Sequence, residues 1–165
     1  MGFEIERKFL VRNHDWRSSV ASHWDIRQAY LGATGQASTR IRIRNNSSAT
    51  LTIKSRPSAL RRLEFEYPIP VLEAEALVSL RQGSVIEKTR YLIPCGKLTW
   101  EVDVFLGEND GLVIAEIELP NESHPIERPA WIGTEVTGKT QYYNSFLARR
   151  PYSSWTDSEL IERLG

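Results

Sequence analysis

The chain has 165 residues, with 21 Lys and Arg against 21 Asp and Glu, so its formal net charge is zero. The length suits one domain spanning residues 1–165, and 41% hydrophobic with 25% charged residues excludes a disordered or fibrous chain. Zero balance argues against nucleic acid as a partner, yet residues 1–62 hold 12 basic and 4 acidic side chains while residues 63–165 hold 9 and 17.

In chain order, the first element is a strand over 3–11, where polar and apolar residues alternate from Phe3 to Val11. A short helix near 15–22 follows, with Asp15 as its cap. Residues 26–32 form a strand with weaker alternation. Clear strands then run over 39–44, 49–54 and 62–67, the first two joined by the turn Asn45-Asn46-Ser47-Ser48. Residues 71–82 predict a helix that sets Leu72, Ala76, Leu77 and Leu80 on one face, with Gly83 as its stop. Strands follow over 86–93, 98–105 and 112–119. Turn-like links at 94–97 and 107–111 suggest antiparallel hairpins. A helix is expected over 141–150. Another is expected over 156–164, where Thr156 and Glu159 form a capping box and Gly165 lies just past the end. About eight strands with few helices predict a mainly β (α+β) fold, most simply a closed barrel.

Several chemistries drop out. The one cysteine, Cys95, excludes an internal disulfide and a Cys-rich zinc site, which fits a cytoplasmic setting. The N-terminal residues lack a signal-peptide pattern, and no apolar run approaches the ~20 residues that span a bilayer, so no membrane partner is expected. His14, His23 and His124 stand far apart and read as surface residues. There is no Walker motif and no Ser/His/Asp constellation.

The alternating strands carry charge, not merely polarity, on their second face. Glu4, Glu6, Lys8, Arg40, Arg42, Arg44, Lys54, Arg62, Glu64, Glu66, Lys88, Arg90, Glu101, Asp103, Glu116 and Glu118 all fall in register with their strands. Residues i and i+2 project from one face about 6.6–7 Å apart, and like charges that close repel unless opposite charge sits between them. Glu-x-Glu pairs suit a hard divalent cation, and Arg-x-Arg pairs suit a polyanion held by bidentate forks. Together they describe a pocket for a metal–polyphosphate complex. Two arrangements satisfy the periodicity. The charged face points inward, leaving Phe3, Ile5, Ile41, Ile43, Leu63, Phe65, Val102, Val104 and Ile117 outside under the helices, or the apolar face points inward and the charges meet water.

The ordered set Glu4-Ile5-Glu6-Arg7-Lys8, Arg40-Ile41-Arg42, Leu51-Thr52-Ile53-Lys54 and Arg62-Leu63-Glu64-Phe65-Glu66 resembles the CYTH superfamily, the triphosphate tunnel metalloenzymes. The likeness continues through Glu87–Tyr91, Trp100–Phe105 and Glu116-Ile117-Glu118, and ends at Glu135-Val136-Thr137-Gly138 with Tyr142 and Asn144. It implies an eight-stranded antiparallel closed barrel, a triphosphate tunnel with a few flanking helices. It also implies hydrolysis of a triphosphate with Mg²⁺ or Mn²⁺, inorganic triphosphate being the first choice. By that resemblance Glu4, Glu6, Glu101, Asp103, Glu116 and Glu118 hold metal. Lys8, Arg40, Arg42, Lys54, Arg62, Lys88 and Arg90 grip phosphates, and Glu4, Glu6, Lys8, Glu64, Glu66 and Asp103 make up the catalytic set. Lys139-Thr140 departs from the family's usual acidic turn, so no substrate role transfers there. Alternatives on the same scaffold are class IV-type adenylate cyclisation and thiamine triphosphate hydrolysis. A non-catalytic polyphosphate-binding module and a homodimer also stay open.

Overall fold

The computed structural model describes residues 2–56 and 61–161. The strands are β1 (Gly2–Val11), β2 (Ser22–Ala33), β3 (Ala37–Arg44), β4 (Ser48–Ser55), β5 (Arg61–Ile69), β6 (Gln82–Cys95), β7 (Leu98–Phe105), β8 (Val113–Glu118) and β9 (Ile132–Glu135). The α-helices are α1 (Val71–Val78), α2 (Asn144–Arg149) and α3 (Asp157–Ile161).

All described pairings are antiparallel, in the order β5-β4-β3-β2-β6-β7-β8-β1-β9. A further pairing of β5 with β1 joins the two ends, so eight strands close a barrel. Strand β1 makes that closure by dividing one edge: Gly2–Ile5 meet β5, and Phe9 and Val11 meet β9. Its other edge holds β8 through Glu6–Leu10. Closure removes exposed sheet edges, which otherwise template aggregation.

Register decides between the two arrangements left open by periodicity. Lys8 lies opposite Glu116, Glu6 opposite Glu118, Arg90 opposite Asp103 and Arg42 opposite Gln28, all on the inner face. The charges point inward. Outside, Ile5, Phe9, Val102, Ala115 and Ile117 pack under Trp16 and Trp131, supplied by the 3₁₀ turn Asp15–Ser19 and by the connection into β9. Ala29, Ile41, Ile43 and Ala49 pack under α1. The barrel is therefore stabilised largely by apolar burial on its exterior, the driving force of most folds.

One level of the lumen is also apolar. Leu10 faces Ile114, and Phe105 lies opposite Lys88, so these residues point inward two positions beyond the charges. Leu10, Ile86, Phe105 and Ile114 form a buried cluster with Tyr142, Leu147, Ala148 and Trp155. The charged cavity thus ends on an apolar plug braced by α2. Gly83 makes this docking close: at φ 73°, a Cβ there would meet the Ala148 carbonyl oxygen at 2.3 Å.

Several expectations need correction. The helix expected near 15–22 is the 3₁₀ turn Asp15–Ser19, in which Asp15 is the first residue and not the cap. The helix over 71–82 ends at Val78, and it buries Ala74 and Val78 while Leu72 and Leu80 are 86% and 68% exposed. Gly83 serves α2, not the end of α1. The helix over 141–150 is shorter and follows a 3₁₀ turn over Thr140–Tyr142. The four-residue β9 was not foreseen. For the C-terminal helix, Glu159 accepts from the Thr156 backbone N–H at 2.7 Å; the expected residues 162–164 and the Gly165 stop lie outside the described residues.

Candidate active site

Fifteen of the sixteen charged-face residues line one cavity of about 310 Å³. β1 contributes Glu4, Glu6 and Lys8; β3 contributes Arg40, Arg42 and Arg44; β4 contributes Lys54; and β5 contributes Arg62, Glu64 and Glu66. β6 adds Lys88 and Arg90, β7 adds Glu101, and β8 adds Glu116 and Glu118. Asp103 is the exception. It is fully buried beneath the cavity lining, with Arg90 Nε and Nη2 on its two oxygens at 2.7 and 2.8 Å and Lys88 Nζ at 2.5 Å. Both its oxygens are already engaged by cations of the wall.

Most cations rest on carboxylates. Lys8 Nζ donates to Glu116 at 2.6 Å and lies 3.4 Å from Glu6. Burial alone would lower the Lys8 pKa, but Glu116 and Glu6 outweigh it and hold the pKa up. Lys54 Nζ sits 2.6 Å from Glu4 and 3.8 Å from Glu64. Arg40 reaches Glu66 at 3.9 Å, and the Thr52 hydroxyl donates to Glu66 at 3.2 Å. Arg90 also pairs with Glu101 and reaches Glu116 at 3.5 Å. Glu116 is buried, yet Lys8, Arg90 and Lys88 push its pKa well below the usual carboxylate range.

Two groups are left against their own preference. Arg42 has no carboxylate partner among the described residues; its Nε donates to Gln28 Oε1 at 3.0 Å. Burial, then repulsion from Arg40 and Arg90, lowers its pKa to about 9. Arg40 and Arg62 each also bury an Nε–H with no acceptor among the described residues. On the opposite side, the Glu118 pKa is raised by burial and then by Glu4, Glu101, Glu64 and Glu6. The cavity therefore holds excess positive field at one place and excess negative field at another.

A CYTH domain model matches residues 2–152. The chain belongs to the CYTH domain family. It is 47% identical over 158 residues to an inorganic triphosphatase of Acetivibrio thermocellus, covering 95% of this chain and all of that one. It is 37% identical over 150 residues to an inorganic triphosphatase of Nitrosomonas europaea, covering 88% and 96% of the two chains. The crystal structure of the inorganic triphosphatase NE1496 superposes with a TM-score of 0.65 at 33% identity, over 90% of this chain and 95% of that one.

Within this CYTH fold the carboxylate set suits a hard divalent cation, because every donor is oxygen and Glu118 faces four like charges that a cation would relieve. Among the described residues no three carboxylates are already grouped to hold one. Glu4 and Glu116 instead turn onto Lys54 and Lys8.

The structure also lines the cavity with neutral residues not singled out from the sequence: Trp24, Tyr30, Ser38, Tyr143 and Ser145. Asn144, noted only for its match to the family, lines it too. Trp24 carries the Arg44 guanidinium over its ring at 4.2 Å. Tyr30 lies two residues from Gln28 on β2, and the parity of that strand, extended from residue 24 to 30, is the signal that would have found both. Among the described residues no helix is long and apolar enough to cross a membrane.

Proposed function

We propose that this CYTH protein is a divalent-cation-dependent hydrolase of a linear triphosphate, with inorganic triphosphate as its substrate. The observation that carries the reading is Arg42, a buried guanidinium crowded by Arg40 and Arg90 and held only by a neutral amide. A cation kept in that state gains when a polyanion arrives. The names of the two relatives from Acetivibrio thermocellus and Nitrosomonas europaea support the same substrate.

We assign Glu4, Glu6, Glu116 and Glu118, with Glu101 beside them, to a divalent cation, Mg²⁺ or Mn²⁺. When bound, such an ion neutralises phosphate oxygens and polarises the phosphorus they belong to. Lys8, Arg40, Arg42, Lys54, Arg62, Lys88 and Arg90 grip the phosphates through charge-assisted hydrogen bonds. In-line attack by water spreads charge over three equatorial oxygens, and these fixed cations stabilise it without reorganising. Glu64 and Glu66 orient Lys54 and Arg40. Asp103 orients Lys88 and Arg90 from beneath them, and we assign it that role in place of a direct metal role. No protein nucleophile enters the reaction.

Phosphate release from tripolyphosphate, thiamine triphosphate and ATP, each with Mg²⁺, Mn²⁺ or EDTA, tests this. Tripolyphosphate with metal should be turned over fastest, and EDTA should stop it. No release from any substrate in metal, or a cyclic nucleotide as the main product from ATP, refutes the reading.

A further inference from the structure

Gln28 is a fully buried amide on β2 that the mechanism above leaves without a task. Its Nε2 donates to Asn144 Oδ1 at 2.9 Å and to Tyr30 Oη at 3.3 Å, while its Oε1 accepts from Arg42 Nε at 3.0 Å. Asn144 opens α2, and its Oδ1 also accepts from Lys88 Nζ at 3.1 Å. Arg42, Gln28, Asn144 and Lys88 therefore form one line across β3, β2, α2 and β6.

Chemistry fixes the direction of that line. Arginine and lysine only donate, so each amide must turn its oxygen to its cation. Gln28 must then donate to Asn144. A side chain at 28 closes the line only if it accepts at one end and donates at the other. Glutamate cannot donate, and leucine does neither.

We propose that Gln28 and Asn144 are positioning residues, a neutral amide bridge that braces Arg42 against Lys88 and aims Arg42 at the triphosphate without cancelling its charge. The proposal rests on the triphosphatase reading. Lys8, Lys54, Lys88 and Arg90 are held by carboxylates, which offset part of their charge. Arg42 is held by an amide oxygen, so its full charge stays available. An arginine loses about 1.5–2 kcal/mol of rotamer freedom when ordered. Ordering it before the ligand arrives removes that cost from binding. The bridge also ties α2 to the barrel at the point where Tyr143 and Ser145 complete the cavity wall.

Calorimetric titration with tripolyphosphate in EDTA tests the bridge on the wild type, Gln28→Leu, Gln28→Glu, Asn144→Ala, Arg42→Ala and Arg42→Ala/Gln28→Leu, with Tm measured for each. Gln28→Leu should weaken binding about tenfold, the size of one lost hydrogen bond to a charged group. Gln28→Glu, which sets a carboxylate against Arg42, should weaken it at least as much. Gln28→Leu should lose most of its effect once Arg42 is gone, because it acts through that residue. In turnover assays with metal, KM should rise more than kcat falls. Binding by Gln28→Leu equal to wild type, or a full Gln28→Leu effect in the Arg42→Ala background, overturns the bridge. If Gln28→Leu does not fold, Asn144→Ala, which is only half-buried, carries the same comparison. Wild-type protein that fails to hydrolyse tripolyphosphate defeats the underlying reading, whereas intact hydrolysis with an unaffected Gln28→Leu defeats the bridge alone.

Discussion

On four adjacent strands the inward-facing side chain changes character within one two-residue step. Lys8 gives way to Leu10 on β1, Lys88 to Ile86 on β6, Asp103 to Phe105 on β7 and Glu116 to Ile114 on β8. The backbone pattern is the same on both sides of that step. On one side the residues pack into a fully buried apolar cluster. On the other, Arg42 and Glu118 are held in surroundings that disfavour their charge. A pKa moved toward neutrality means that folding penalises the ionised form. The plug serves stability, and the cavity gives some stability up to keep charges ready for ligand, as functional sites commonly do.

Substitutions on the two sides should therefore fail in opposite ways. The largest effect is expected from Ile114→Asp, which puts an unpartnered carboxylate into the plug. That cost should exceed about 4 kcal/mol and prevent a cooperative thermal transition; a folded variant with near-native Tm would break the contrast. Phe105→Ala should leave a cavity and cost about 3–5 kcal/mol, read by denaturant unfolding. Arg42→Ala, on the charged side, should lose about 1.5–3 kcal/mol in kcat/KM for tripolyphosphate while Tm stays level or rises. The smallest effect concerns pH. The Lys88 pKa is lowered to about 7, first by burial and then by Arg90 and Arg42, against the pull of Asp103. Between about 7 and the ordinary 10.5 the unfolded chain binds the extra proton, so this group makes stability rise with pH across that window. The rise should flatten in Lys88→Met when unfolding is measured from pH 7 to 10.

The inward direction of the charges was one of two arrangements allowed by period-2 alternation, and the ordered Glu, Arg and Lys motifs favoured it. The charged strand faces name fifteen residues that share the cavity. Asp103 obeys the same parity but lies behind Lys88 and Arg90, because register specifies a face and not a depth. The plug is not legible from parity, because Leu10, Phe105 and Ile114 continue the inward face of their strands as ordinary apolar residues and only their packing with Tyr142, Leu147 and Trp155 sets them apart. The face of α1 was misjudged because eight residues with apolar side chains on several sides do not single out one stripe. Gln28 is neutral and sits on a strand whose alternation is weakened by Ile26 and Ala29, so only the hydrogen-bond geometry reveals it.

Glu118→Gln separates a ligand site from a structural charge cluster most directly. Glu118 has no ion pair among the described residues and faces Glu4, Glu6, Glu64 and Glu101. Phosphate release from tripolyphosphate in Mg²⁺ or Mn²⁺, measured beside Tm, should show turnover largely lost with Tm unchanged or raised. Turnover equal to wild type would contradict the assignment of this cavity to a cation and a triphosphate.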